Sequence, residues 1–146
     1  MKHSFTYILL LVTICLASCS KSTPVQTNPV PTPSGTFGGF FQLVHTTVKT
    51  GLNDTVSCNL TLLLDGQGNF TVTGDTSTYH AGSKGKFSLG IGDDLVFTDN
   101  TSNKLFPKKA HLNGDYKYEY NGSVLGLDKN VGDSLSYQYY FTKSSN

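Results

Sequence analysis

Leu60-Thr61-Leu62-Leu63-Leu64-Asp65-Gly66-Gln67-Gly68-Asn69-Phe70-Thr71-Val72-Thr73 is the stretch whose reading decides the fold. Leu60, Leu62 and Leu64 alternate with Thr61, and Phe70 and Val72 alternate with Thr71 and Thr73. A period of two places apolar side chains on one face of an extended strand and polar ones on the other. Between the runs, Asp65-Gly66-Gln67-Gly68 is rich in turn formers, so the two strands fold back on each other as a tight hairpin.

The same pattern repeats on both sides. Upstream, Phe37 to Lys49 reads as a first strand and Val56-Ser57-Cys58-Asn59-Leu60 as part of a second. Downstream, Phe87, Leu89 and Ile91 lead into Gly92-Asp93-Asp94, and Leu95 and Phe97 return. Tyr116, Tyr118 and Tyr120 share one face, with Lys117 and Glu119 on the other. Asn121-Gly122 has the composition of a type I′ turn, Val124 to Asp128 runs back, and Leu135, Tyr137, Tyr139 and Phe141 close the series. No segment shows the spacing of an amphipathic helix. About eight strands joined by short turns pair with their sequence neighbours, giving an all-β, antiparallel up-and-down meander. The one long connection is Asp99 to His111, which contains Pro107. Eight strands can close into a small barrel and so remove their exposed edges; an open two-sheet sandwich is the other arrangement.

The meander occupies residues 36–146. Ahead of it, residues 19–35 carry Pro24, Pro29, Pro31 and Pro33, four of the five prolines. Such a segment favours extended polyproline II and serves as a spacer a few nanometres long. Residues 1–18 begin with Lys2 and His3, continue as an apolar run from Tyr7 to Leu16, and end in small residues. That is the pattern of an export signal, with an apolar run too short to span a bilayer. Leu16-Ala17-Ser18-Cys19 resembles the bacterial lipobox, which implies cleavage after Ser18 and acyl chains such as palmitate on Cys19. Two or more chains anchor a protein stably, at about 0.8 kcal/mol per buried methylene. Ser20 is not aspartate, and Ser20-Lys21-Ser22-Thr23 has no acidic residue. By resemblance this implies the outer membrane, facing the periplasm.

The chain resembles the lipocalin-like lipoproteins of the Bacteroidetes. The resemblance rests on the lipobox and spacer, then on Gly35-Thr36-Phe37-Gly38-Gly39-Phe40 opening the first strand. Gly82 to Phe87 with Leu95 to Phe97, and Leu112 to Tyr118 with Leu125 to Leu127, complete it. It implies a lipocalin-like barrel with a pocket for a small apolar or amphipathic ligand. True lipocalins carry Gly-X-Trp near the start and usually a C-terminal helix; here Phe37 stands at that tryptophan's place and the chain has no tryptophan.

Charge narrows the partners. Without residues 1–18 there are ten lysines against nine aspartates and one glutamate, and no arginine. A nucleic-acid binder needs a basic face, so nucleic acid is excluded, and an electrostatic membrane patch with it. Enzyme chemistry has little to work with. Glu119, the only glutamate, alternates outward. Asp93 and Asp94 are adjacent turn residues, poorly placed for carboxylates that must flank a substrate, and no serine sits in a Gly-X-Ser-X-Gly elbow. His45, His80 and His111 lack the close spacing of a metal motif, so neither metal nor cofactor is expected. The five Asn-X-Ser/Thr sequons reflect a surface rich in asparagine and threonine. Cys15 leaves with the signal and Cys19 is lipidated, which leaves Cys58 alone and rules out an intramolecular disulfide; on its strand it reads as a buried, inert thiol.

The tyrosines raise the sharper question. If the inward faces are as assigned, several phenols enter the barrel, and buried hydroxyls require partners. Either the hydroxyls reach the rim of an aromatic core, or they line a cavity. Phe87, Phe97, Tyr118, Tyr137 and Tyr139 are the candidate lining residues for a small apolar or amphipathic ligand. Two functions follow. One is a membrane-anchored lipoprotein that binds such a molecule; the other is a filled barrel acting as an interaction or inhibitor module toward another envelope protein.

Overall fold

The computed structural model describes residues 30–47, 49–101 and 109–145. The expected signal peptide, Cys19, most of the expected spacer, Pro107 and Lys108 lie outside the described residues. All regular structure among the described residues is strand: β1 Gly35–Thr46, β2 Asn53–Leu64, β3 Asn69–Gly74, β4 Ser83–Leu89, β5 Asp94–Asp99, β6 Gly114–Tyr120, β7 Val124–Asn130 and β8 Leu135–Lys143. Each strand pairs antiparallel with the next, and β1 pairs with β8, so the meander closes into a barrel. The sandwich is thereby excluded. Closure leaves no edge strand with unpaired backbone groups.

The hairpin at Asp65 forms with Leu64 opposite Phe70. Asp65 organises it: Oδ1 accepts from the amides of Gln67 (2.9 Å) and Asn69 (2.7 Å), and Oδ2 from the Asn69 side-chain amide (2.6 Å). These hydrogen bonds, with that from the Asn69 side chain foremost, hold the carboxyl below its ordinary pKa. The seam between β1 and β8 depends on Gly39, where a Cβ would collide with the carbonyl oxygen of Tyr140.

Three local readings differ from expectation. β1 ends at Thr46 rather than Lys49, because Thr47 N–H turns to the Leu52 carbonyl (2.8 Å) to begin the loop into β2. Ile91 lies beyond the end of β4 and is 95 % exposed, as the Gly90 amide bonds to the Asp94 carbonyl (2.8 Å) and closes the turn before it. The turn after β6 is centred on Gly122-Ser123 rather than Asn121-Gly122. Tyr120 faces Leu125, so glycine takes the first central position, with φ +95°, as a type II′ turn prefers. Asn121 flanks the turn instead, its Oδ1 accepting from the amides of Ser123 (3.0 Å) and Val124 (2.8 Å).

The barrel has two ends. At one, called here the tether end, chain entry and exit meet the turns at residues 65–68, 90–93 and 121–123. The last part of the proline-rich segment belongs to the packing here: Pro33 is buried and Val30 rests against the core. At the other, the loop end, lie the connections β1–β2, β3–β4, β5–β6 and β7–β8. Inward positions between them are filled. Phe37, Phe41, Leu62, Leu95, Leu125 and Tyr139 are wholly buried, and Cys58 is buried as expected.

Candidate functional site

Alternation along β4, β5, β6 and β8 turns Phe87, Phe97, Tyr116 and Tyr139 inward, and the rings meet in a continuous chain. Phe87 stacks on Phe97 at 6.2 Å, Phe97 meets Tyr116 edge-on at 5.8 Å, and Tyr116 meets Tyr139 edge-on at 5.6 Å. Tyr139 then packs on Phe41 at 4.9 Å, and Phe41 on Tyr137 at 5.6 Å. Four of the five candidate lining residues thus join through ring contacts: Phe87, Phe97 and Tyr139 in the ring chain, with the half-buried Tyr137 at its margin. Tyr118 belongs to the same buried core, nearer the tether end. The edge-on geometry is the arrangement that ring quadrupoles favour.

The phenol hydroxyls find partners that composition did not suggest. Tyr116 donates to the His111 carbonyl (3.3 Å), Tyr118 to the Val30 carbonyl (3.2 Å) and Tyr120 to the Gly122 carbonyl (2.8 Å). Three loop or tether backbones supply the acceptors. Tyr139, deepest of the four, shares a hydrogen bond with His80 Nε2 at 2.9 Å. Burial pushes the Tyr116 hydroxyl up to about 12, with the neighbouring Tyr139 hydroxyl pulling the other way. Burial, with Tyr116 beside it, pushes Tyr139 well above the ordinary tyrosine value.

His80 was not singled out by spacing, and it is the centre of the loop end. It is wholly buried, edge-on to both Phe41 (5.2 Å) and Tyr139 (5.6 Å). Its loop is stitched to the β5–β6 connection: Ala81 N–H bonds the Ala110 carbonyl and Ala110 N–H the Tyr79 carbonyl, both at 2.9 Å. Lys109 Nζ adds bonds to the carbonyls of Thr76 (2.9 Å) and Ser77 (2.6 Å). Burial pushes the His80 imidazole down to about 4, offset in part by the Ala81 backbone and Asp99. The ring is therefore neutral at physiological pH.

Asp99 ties the second connection down. Its Oδ2 meets His111 Nδ1 at 3.0 Å, and its Oδ1 accepts from the amide and hydroxyl of Thr101 at 2.8 and 2.6 Å. Two buried imidazole nitrogens, His80 Nδ1 and His111 Nε2, have no hydrogen-bond partner among the described residues. Buried polar atoms are normally satisfied, so these two mark the least settled point of the interior. Cys58 lies on the same side of the barrel, and burial raises its thiol above the ordinary value. Among the described residues, no three His, Cys, Asp or Glu side chains are grouped to hold a metal ion.

On the outside, a groove of about 360 Å³ crosses β6, β7 and β8 above Gly126, with Glu119, Asp128 and Tyr140 among its walls. Compared with known proteins, the chain matches no family model and no curated sequence.

Proposed function

We propose that the protein is a lipid-tethered, non-enzymatic interaction module of the bacterial envelope: a filled, lipocalin-like barrel held off the outer membrane through Cys19. The observation that carries this reading is the filled interior. Aromatic rings in mutual contact occupy the space in which a carrier would hold its cargo, leaving the exterior and the loops as the surfaces for recognition. Leu52, Tyr79 and Val131 are exposed apolar side chains on three separate loop-end connections. They sit at the end opposite the tether, where a partner protein in the periplasm can reach them. Leu89 and Ile91 are exposed at the tether end as well; what distinguishes the three loop-end side chains is their place at the end away from the anchor, where an apolar contact surface is free to meet a partner.

The test is site-specific photo-crosslinking in intact cells. A crosslinker at Tyr79 or Val131 is expected to capture one defined envelope protein, and Leu52→Asp to abolish the capture. A crosslinker at Thr61 on the barrel wall should capture nothing. Capture that is indiscriminate, or equal at loop and wall, refutes the reading. Membrane fractionation tests the anchor separately: Cys19→Ala should release a folded protein into the soluble fraction.

The two unpartnered imidazole nitrogens favour one second reading, in which a small amphipathic molecule enters at the loop end and donates to them. That reading requires saturable, one-to-one binding of an environment-sensitive dye, weakened by Tyr139→Ala. The filled-barrel reading requires no dye binding by the wild-type protein.

A further inference from the structure

Gly126 lies in the interior of β7, where glycine weakens a strand because it has no side chain to pack and the most backbone entropy to lose. The barrel itself does not need glycine there. Its φ is not in the left-handed region, and a Cβ would meet nothing within 4 Å. Gly38 in β1 is the same: ordinary backbone, outward-facing, with open space where a side chain would stand. The contrast is Gly39, whose Cβ would strike the neighbouring strand.

Both free glycines border one feature. Phe40 of β1 and Tyr140 of β8 are directly opposite each other on the outer face, their rings 5.3 Å apart and tilted by 36°. Gly126 is the partner of Tyr140 on the other side, so Phe40 covers one flank of that ring and the other is left open over the glycine. Gly38 precedes Phe40 by one outward position. The result is an aromatic platform, 37 % and 45 % exposed at its two rings, with a cleared shelf on two sides.

Polar groups surround it. Glu119 faces Gly126 across β6–β7. Gln138 accepts from the Tyr140 hydroxyl at 3.3 Å, and Asp128 faces Gln138 in the next cross-strand row. The carboxylates of Asp93, Glu119 and Asp128, the Lys117 ammonium and the Gln138 amide thus border a half-exposed aromatic surface. The groove runs across three strands, whose two spacings of about 4.8 Å give roughly 10 Å, room for about two pyranose units.

We propose that this outer face binds a glycan strand of β-linked hexopyranoses. A pyranose presents an axial C–H face, which the negative face of a tyrosine ring attracts, and equatorial hydroxyls that need donors and acceptors at its rim. The platform supplies the first and its surround the second. β-1,4-linked chains are extended ribbons that keep their ring faces presented to a straight run of contacts, whereas α-1,4-linked chains coil and lift successive rings off the platform. A protein side chain used as an anchor fits less well, because such anchors need an enclosed, water-free pocket. The surface is on the barrel wall and separate from the loop-end residues above, so either proposal can fail without the other.

The experiment is titration of the purified full-length chain with chitohexaose, cellohexaose and maltohexaose, followed by backbone amide resonances. The β-linked hexaoses should shift Gly38, Phe40, Gly126 and Tyr140 saturably, with maltohexaose weaker by about ten-fold or more. Tyr140→Ala should weaken binding by at least about ten-fold. Gly126→Leu should do the same with the thermal midpoint undiminished, since it adds a strand-compatible side chain into open space; this variant decides the matter if Tyr140→Ala unfolds. No binding by any hexaose, equal binding by maltohexaose, or undiminished binding to Gly126→Leu overturns the proposal. So does the same set of shifts produced by an oligolysine peptide and by none of the sugars, which would assign the groove to a protein partner.

Discussion

At the tether end the strands turn over in short hairpins, and the layer beneath them is hydrocarbon and ring: Phe37, Leu62, Leu64, Phe70, Leu95 and Leu125 are all buried. At the loop end longer connections fold inward, and the layer beneath them holds His80, Ser83 and the hydroxyls of Tyr116 and Tyr139 among its apolar groups. Apart from the Tyr118 hydroxyl, which donates to the Val30 carbonyl, the polar side chains of the tether end sit in turns, where Asp65 and Asn121 cap backbone amides beside water. Those at the loop end are out of water and depend on one another. A barrel of this size can be closed by either means. The apolar end gains from burial alone, whereas the polar end is sensitive to protonation, because each buried group is stable in only one charge state.

Removing Tyr139 should produce the largest effect. Tyr139→Ala deletes the ring that joins Tyr116, Phe41 and Phe141, and it removes the hydroxyl that His80 Nε2 is bonded to. The expected loss is about 3–5 kcal/mol, the range for large aromatic truncations in a core, read by urea denaturation. A loss below about 1 kcal/mol would mean that the ring is not closely packed and the interior not filled.

Acid should separate the two ends. In the unfolded chain His80 takes a proton near its ordinary 6.5, but in the folded barrel only near 4. Between those values the unfolded state binds more protons, so stability falls as pH falls from 6.5 to 4. It levels off for this group below that. The full contribution is about 3 kcal/mol. His80→Phe should start from lower stability, since Tyr139 loses its partner, yet show a much flatter profile across that window. An unchanged slope in the variant would transfer the acid sensitivity to another group. Asp65 and Asp75, held below the ordinary aspartate value, act in the opposite window: their contribution is present above it and disappears only in stronger acid. Alkali mirrors this, with stability falling above pH 10 as the unfolded tyrosines ionise while Tyr116 remains neutral to about 12.

The smallest effect belongs to the tether end. Asn121→Ala removes a side chain that accepts from two backbone amides at an exposed turn. Water can replace both bonds, so the expected cost is about 1 kcal/mol, with no change in pH profile. A cost as large as that of Tyr139→Ala would show that the turn, rather than the core, limits closure.

Alternation in Leu60 to Thr73 and in Tyr116 to Phe141 was enough to assign the strands and their inward faces, because a half-buried strand must repeat every two residues. Loop-end chemistry was not legible in the same way. His80 sits in Ser77-Thr78-Tyr79-His80-Ala81, which has no period and no motif; its burial comes from contacts with Ala110 and Tyr139, 30 and 59 positions away. Gly126 was equally silent, since a glycine in a strand can mean a bulge, a close approach or an empty shelf, and only the surrounding atoms distinguish them.

The sequence by itself determined that this chain forms about eight antiparallel strands with one apolar face each, since periodicity and turn residues act over a few positions. Tertiary structure decided that the strands close on themselves and that the rings fill the space they enclose. It also decided which hydroxyl meets which carbonyl, and which outward glycines stand beside aromatic rings. Those outcomes depend on register between distant strands, and register is fixed by packing the whole set at once.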